Sequence, residues 1–318
     1  MSNEVANIEF VKCNLCGEGA SHTYYKAGQW SIVRCANCDH TYTNPRPTAA
    51  ALPSYYTEDY FQDERHKKKF YHADGSPKAV ADTYNNRVSD VENFCTTRGS
   101  VLELGAARGA FLKVLKDRGW DVHGVEISAD AVELAKTQNN LSIFCGVLDE
   151  YVTEQKFDVV CMYQTLEHVL NPDYVCKRSY ELLQAGGKLV IEVPNRNCFE
   201  MKWSNRRKVL SYDLPRHISH FSPAILAKHL KGLGFKEVHV YYYPDKVVLG
   251  VFNLIGRIIN LIKSSKTAKQ AVSLTSDSTA VKPLQLPMAR ISSGFMSRLL
   301  QKISAIVPGW RFTIIAVK

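Results

Sequence analysis

From Ser100 onward, short apolar runs alternate with stretches of helical spacing, and this alternation constrains the fold more than any other feature of the chain. A strand-length run followed by a helix-length segment, repeated several times, marks βαβ units and a parallel sheet covered on both faces. Strands are predicted near 100–104, 121–125, 142–144, 157–162, 188–193 and 237–243. Helices fall between them, at about 110–118, 129–139, 173–183 and 223–233. Ser128 and Ser222 stand where N-caps belong, and Pro223 suits a first helical position. Gly119, Gly186-Gly187 and Gly234 stand where helices should stop. An α/β class follows.

The first of these strands ends in Glu103-Leu104-Gly105-Ala106-Ala107-Arg108-Gly109 and runs straight into a helix. Glycines in such a turn let the backbone approach a ligand, with the helix N–H groups facing it. The second strand ends in Glu126, 23 residues after Glu103, where a carboxylate can accept both hydroxyls of a ribose. These features predict a nucleoside cofactor and leave NAD and S-adenosylmethionine both open. Ala107 takes the position of the middle glycine, which a pyrophosphate would need and a sulfonium nucleoside would not.

The turn V-L-E-L-G-A-A-R-G-A resembles the first motif of class I S-adenosylmethionine-dependent methyltransferases. Further likeness lies in Phe157-Asp158-Val159-Val160, Leu166-Glu167-His168-Val169, Leu182-Leu183-Gln184-Ala185-Gly186-Gly187 and Val193-Pro194-Asn195. It covers roughly residues 98–244 and 308–318, and the spacing of the series is more specific than any single member. The resemblance implies a Rossmann-like seven-stranded sheet whose last strand, at 311–317, inserts antiparallel beside the sixth. It also implies that Glu103 and Gly105, with Gly109 in the same turn, meet the methionine end of S-adenosylmethionine. Glu126 then takes the ribose, and Leu148-Asp149 the adenine.

Ahead of this domain, Cys13 and Cys16 form one CxxC pair, and Cys35 and Cys38 a second, with eighteen residues between. Two residues between thiolates let both reach one tetrahedral ion, so two such turns close a structural Zn²⁺ site with no open position for chemistry. Gly17, after the first pair, is placed where a knuckle needs a positive φ. His22 and His40 lie near enough to substitute for a cysteine, although four thiolates suffice. The other five cysteines, Cys95, Cys145, Cys161, Cys176 and Cys198, read as small core residues in a reducing compartment.

Two clusters carry candidate chemistry. Glu167-His168 follows the fourth strand of the sheet, at the edge where ligands of such folds bind. His168 there either serves as a base or orders the loop. Similar Glu-His pairs occur in ubiquinone-pathway O-methyltransferases, beside a further Glu that here is Gln164. The second cluster is 214–222, which includes Pro215, Arg216, His217 and His220. Related zinc-ribbon methyltransferases carry a similar element over the acceptor pocket. His217 is the leading general base, since an oxygen acceptor must lose its proton. His220 is expected to pack beside Phe221, and Arg216 could pair with an anionic substrate.

The net charge of +9 is concentrated late in the chain. Ten basic residues between Asp245 and Arg311 face two acidic ones, leaving the remainder almost neutral. This stretch holds an apolar run at 247–262, a Ser/Thr/Lys-rich linker at 263–282 and a second amphipathic pattern at 291–306. It is read as a helical insertion with possible peripheral membrane contact through 247–306, or as a hairpin that packs on the domain or a second copy. The expected order is a zinc ribbon at 1–50, an aromatic-rich linker and lid at 51–97, the methyltransferase domain at 98–244, the insertion at 245–307 and the last strand at 308–318. With no secretory signal and no run of about 18–20 apolar residues, a cytoplasmic chain is the expectation, with the inner membrane face as a second site. The resemblance points to O-methylation of a small-molecule or lipid-linked glycan acceptor of surface-polysaccharide biosynthesis. RNA methylation and a non-catalytic scaffold are the alternatives. Nucleic acid is disfavoured because the positive charge sits among aliphatic residues, without stacking aromatics.

Overall fold

The computed structural model describes residues 7–55, 80–95, 97–198, 213–244 and 308–318. The expected insertion at 245–307, the aromatics Tyr56, Tyr60, Phe61, Phe70 and Tyr71, and the lysine run 67–69 lie outside these residues. Among the described residues no helix is long and apolar enough to cross a membrane.

The N-terminal region is built from β1 (Ile8–Glu9), β2 (Ser21–Ala27), β3 (Trp30–Cys35), β4 (Thr41–Thr43) and β5 (Arg46–Pro47). Then follow α1 (Val80–Phe94), β6 (Ser100–Leu104), α2 (Ala110–Asp117), β7 (Asp121–Glu126), α3 (Ala129–Asn139) and β8 (Phe144–Cys145). The chain continues through β9 (Phe157–Tyr163), α4 (Pro172–Leu182), β10 (Leu183–Pro194), β11 (Ser219–His220), α5 (Pro223–Gly232), β12 (Glu237–Pro244) and β13 (Pro308–Val317). The large sheet has seven strands in the order β12-β13-β10-β9-β6-β7-β8. Its pairs from β10 to β8 are parallel, whereas β13 runs antiparallel to both β10 and β12. This is the Rossmann-like methyltransferase sheet that the sequence motifs imply.

Local chemistry explains where the elements begin. Ser128 Oγ accepts from Ala131 N at 3.3 Å and Ser222 Oγ from Ile225 N at 3.4 Å, the two expected N-caps. Asn171 caps α4 in the same way, accepting from Tyr174 N at 3.0 Å ahead of Pro172. One expectation needs revision: β10 starts at Leu183, not at 188. Leu183 pairs with Phe157, and the register then shifts before Lys188 pairs with Val159. Gly186, at φ 77°, belongs to that irregularity rather than to a simple helix stop.

Alternation along the central strands splits the interior into two layers. Leu102, Val160, Met162, Leu189, Ile191, Phe312 and Ile314 face one side, and Val101, Val159, Cys161, Val190 and Ile315 the other. The second layer packs under α1 and α2 through Val88, Val91, Phe111 and Leu115. The first layer is continuous with the N-terminal module: Cys13, Leu15, Val33, Cys35 and Tyr42 join Leu166 and Phe221 in one cluster.

That continuity extends to the backbone. β11 pairs antiparallel with β4, Ser219 opposite Tyr42 and His220 opposite Thr41, so it is the fourth strand of the sheet β11-β4-β3-β2. Burial of one Leu or Phe side chain contributes about 1.5–3 kcal/mol, so the shared apolar layer, more than a two-residue strand, fixes the module on the α/β unit.

Candidate functional site

The parallel strands end together at the edge that carries the candidate residues. Leaving β6, Gly105 takes φ 73° and its N–H donates to Val125 O at 2.8 Å. A Cβ at Gly105 would stand 2.5 Å from Thr165 Oγ1, so this close approach excludes any side chain. Ala107 holds φ 47°, the left-handed region where an L-residue pays roughly 1–2 kcal/mol. Its N–H donates to Glu126 Oε2 at 2.8 Å, and Ser128 N donates to Glu126 Oε1 at 2.9 Å. The Glu126 carboxylate is therefore turned toward the glycine turn. Gly109, at φ 71°, precedes α2 and abuts Leu141, which a Cβ would approach to 2.5 Å.

Glu103 is 5 % exposed, and its Oε2 is buried with no hydrogen-bond partner. Burial pushes its carboxyl up to about 8, against the pull of Arg87 and with a further push from Glu126. A buried, unpartnered carboxyl oxygen costs free energy unless a ligand donates to it. Glu126, Gly105 and Glu103 thus form a cradle that suits a nucleoside carrying an ammonium group. Leu148, buried, and Asp149, exposed, lie on a short 3₁₀ turn after β8, Leu148–Glu150.

Thr165, packed against Gly105, leads along the chain into the second cluster. Glu167 is 1 % exposed, with both carboxyl oxygens buried and unpartnered. Burial pushes it up to about 8, with the Glu192 charge adding to the shift. His168 Nδ1 lies 3.1 Å from Arg216 O, which as a carbonyl can only accept. That contact fixes the proton on Nδ1 and leaves Nε2, 4.0 Å from Glu167 Oε1, as the basic nitrogen. The His168 and His217 rings meet edge to face at 4.8 Å, and His217 Nε2 is 3.6 Å from Asp213 Oδ2. Burial lowers His168 to about 4 and holds His217 well below the usual imidazole range, with His168 as a second cause for His217. Glu167, His168 and His217 each offer a ligand atom within 4.8 Å of the others. The two sequence clusters are thus one site, closed by Ile218 N and Ser219 N, which both donate to Glu167 O, at 2.8 and 3.0 Å.

Arg216 is ion-paired with Asp213 rather than presented alone. His220 is 6 % exposed and shares its Nε2 with Thr43 Oγ1 at 3.2 Å. His40 is fully buried, with Nε2 3.3 Å from Ser219 Oγ, so it serves the junction and lies outside the four-cysteine group.

One group had no sequence warning beyond an acidic residue inside an apolar strand. Glu192, on β10 and 1 % exposed, accepts from Arg87 Nη2 at 2.8 Å and from Arg311 Nη1 at 3.1 Å. Arg87 also lies over the Tyr163 ring at 4.4 Å. This network ties α1 to the ends of β9, β10 and β13 beside the cradle.

The four cysteines converge, with Cys13 Sγ to Cys38 Sγ and Cys16 Sγ to Cys35 Sγ both 3.6 Å. Tetrahedral Zn–S bonds of about 2.3 Å place sulfurs roughly 3.8 Å apart, so the spacing fits the ion. Burial pushes Cys38 up to about 12 and Cys13 higher still, so these thiols would hold their protons unless a cation displaced them. Gly17 has the expected positive φ, 76°.

The profile of the family described as "Methyltransferase domain" matches residues 77–240. The chain belongs to this methyltransferase family. Its fold is that of the class I S-adenosylmethionine-dependent enzymes: a SAM-dependent methyltransferase from Archaeoglobus fulgidus superposes with a TM-score of 0.50 at 19% identity, over 81% of this chain and 99% of that one. The ubiquinone biosynthesis O-methyltransferase of Coxiella burnetii (strain Dugway 5J108-111) is 30% identical over 118 residues, 35% of this chain and 50% of that protein. The mitochondrial ubiquinone biosynthesis O-methyltransferase of Candida albicans is 29% identical over 107 residues, 31% of each. The chain spans about half the length, or less, of these curated relatives.

Proposed function

We propose that this methyltransferase moves a methyl group from S-adenosylmethionine to a hydroxyl oxygen, with His217 and His168 as the candidate bases. The observation that carries the reading is the convergence of two imidazoles held in their neutral form with the buried Glu167, two residues along the chain from Thr165, which packs against Gly105 of the cofactor cradle. Bound S-adenosylmethionine supplies an electrophilic methyl group. Glu126 holds its ribose, Glu103 and the Gly105–Gly109 turn its methionine end, and Leu148-Asp149 its adenine. An imidazole takes the acceptor's proton as its oxygen bonds to the methyl carbon and the C–S bond breaks, with S-adenosylhomocysteine as the leaving group, while the fixed cradle keeps the reacting atoms aligned. Asp213, beside His217, would balance the positive charge as it forms on that ring.

A sugar or lipid-linked glycan of surface-polysaccharide biosynthesis is the acceptor class we put forward. Its support is the similarity of a four-cysteine module joined to a methyltransferase domain, together with a site able to deprotonate a hydroxyl. The module is assigned a structural Zn²⁺ held by Cys13, Cys16, Cys35 and Cys38. Methyl-labelled S-adenosylmethionine incubated with cell-envelope extract tests the reaction. Label should enter glycans as single added CH₂ units and should be lost with His217→Asn. Label in RNA alone, or full activity of His217→Asn and His168→Asn alike, would overturn the reading.

A further inference from the structure

The N-terminal module does more than sit beside the methyltransferase sheet, because one hydroxyl reaches from it into the histidine loop. Thr43, the last residue of β4, is fully buried. Its N–H donates to Ile218 O at 2.9 Å. Its Oγ1 is 2.7 Å from His217 O and 3.2 Å from His220 Nε2. The carbonyl can only accept, so the hydroxyl donates to His217 O and receives the Nε2–H of His220. A single oxygen therefore holds both histidines of the loop. Asn14 Nδ2 adds a bond to Ser219 Oγ at 3.0 Å.

From the other side, the same loop is tied to the chemistry. Ile218 N and Ser219 N donate to Glu167 O, and Arg216 O faces His168 Nδ1. His217 is thus clamped between the fourth parallel strand's exit loop and β4, with His168, Asp213, Arg216 and His220 around its ring.

We infer that Thr43 is a positioning residue for His217, so that the cysteine module forms one wall of the acceptor site and sets the geometry of its base. The role assigned to Thr43 rests on His217 as a base. It is tested without an acceptor, so its failure is distinct from failure of the methyl-transfer assay.

Thr43→Val keeps the shape and the β4–β11 backbone bonds but removes the hydroxyl, and Thr43→Ser restores it. Both are made in the full chain with its metal retained. Amide hydrogen exchange is followed at Ile218 and Ser219, and the His217 ring proton resonance, assigned by its loss in His217→Asn, is followed at one fixed pH. Loss of one buried hydrogen bond should speed exchange at these amides about tenfold in Thr43→Val. It should also displace the His217 resonance, because the edge-to-face contact with His168 loosens. Thr43→Ser should return both to the wild-type values, and the Kd for S-adenosylhomocysteine should stay within about twofold throughout. Unchanged exchange and resonance in Thr43→Val would overturn the assignment. So would a Thr43→Ser variant that behaves like Val, or loss of protection across β6 and β9, since the hydroxyl would then serve packing or the whole fold.

Discussion

Glu103 offers the sharpest test of the cofactor cradle, because its buried carboxyl is held up to about 8 and has an oxygen without a partner. At pH 7 a group of that pKa is about 90 % protonated, whereas pairing with the ligand's ammonium requires the carboxylate. Binding of S-adenosylhomocysteine should therefore release about 0.9 proton at pH 7. Below pH 8 each pH unit of that linkage corresponds to about 1.4 kcal/mol, so affinity rises with pH. If the bound carboxyl titrates below 6, the Kd should fall about 25-fold from pH 6 to pH 7.5 and level off above 8. Calorimetry in two buffers of different ionisation enthalpy reads the proton directly, and Glu103→Gln should bind more weakly with no proton exchanged. A binding enthalpy independent of buffer, together with a flat Kd over this range, would refute the placement of the ammonium at Glu103.

Gly105→Ala puts a methyl group 2.5 Å from Thr165 Oγ1 in a backbone at φ 73°, and should weaken S-adenosylhomocysteine at least tenfold by calorimetry. Zinc analysis should find about one ion per chain, lost in Cys16→Ser, and the loss should lower the thermal midpoint of the chain, which shares a core with the module. Stability against pH carries opposing signs. His40, His168, His217, His220 and His229 are all held below 6.5, so each destabilises the fold as pH falls from 6.5 toward its folded value. Asp90, at about 7, and Glu103 and Glu167, at about 8, keep protons that the unfolded chain has lost, and they offset part of that effect. The histidines outnumber the acids, so stability falls as pH drops from about 6.5 to about 4.5, and the slope steepens below 4.5 as the offset ends. Thermal midpoints that fall equally steeply across both ranges would contradict these shifts.

The strands and helices that carry the cradle were legible because their signals are local. Ser100–Leu104 is marked by its apolar run, and Ala129–Asn139 by the N-cap Ser128, ending at Asn140 in the left-handed region. The start of β10 was hidden because Gln184-Ala185-Gly186-Gly187 reads as a helix end, and only pairing with Phe157 makes Leu183 a strand residue. β11 had no signal at all. Its two residues become a strand because Thr41 and Tyr42, about 180 positions away, supply the partner, and no local pattern reports a pairing at that distance. For the same reason, Glu167-His168 and the His217 segment read as two rival sites, although they are neighbours at 4.8 Å between rings. Glu192 gave no local signal of its role, because Arg87 and Arg311, which meet it, come from elements far away in the chain.

The charge states of the cradle and of the histidine cluster give the site a consistent logic. At neutral pH, Glu103 and Glu167 hold their protons and His168 and His217 lack theirs, so these four buried groups carry little charge before anything binds. Burial does this work, and burial also makes each later charge count for more, since Coulomb terms grow as the effective dielectric falls. Ionisation of Glu103 would answer an incoming cation, the role we propose for it toward the ammonium of the cofactor. In the histidine cluster, an imidazole depressed by burial is a poor proton acceptor unless a counter-charge is in place. Asp213, lowered overall although burial pushes it up, because Arg216 and His217 outweigh that push, stays ionised 3.6 Å from His217 Nε2 for that purpose. The carboxyl beside His168 Nε2 is Glu167, protonated and 4.0 Å away, while the Asp213 charge acts on His168 as well. The Asp213 carboxylate beside His217 is the observation behind our proposal of that ring as the proton acceptor, a role that would give the clamp at Thr43 its functional weight.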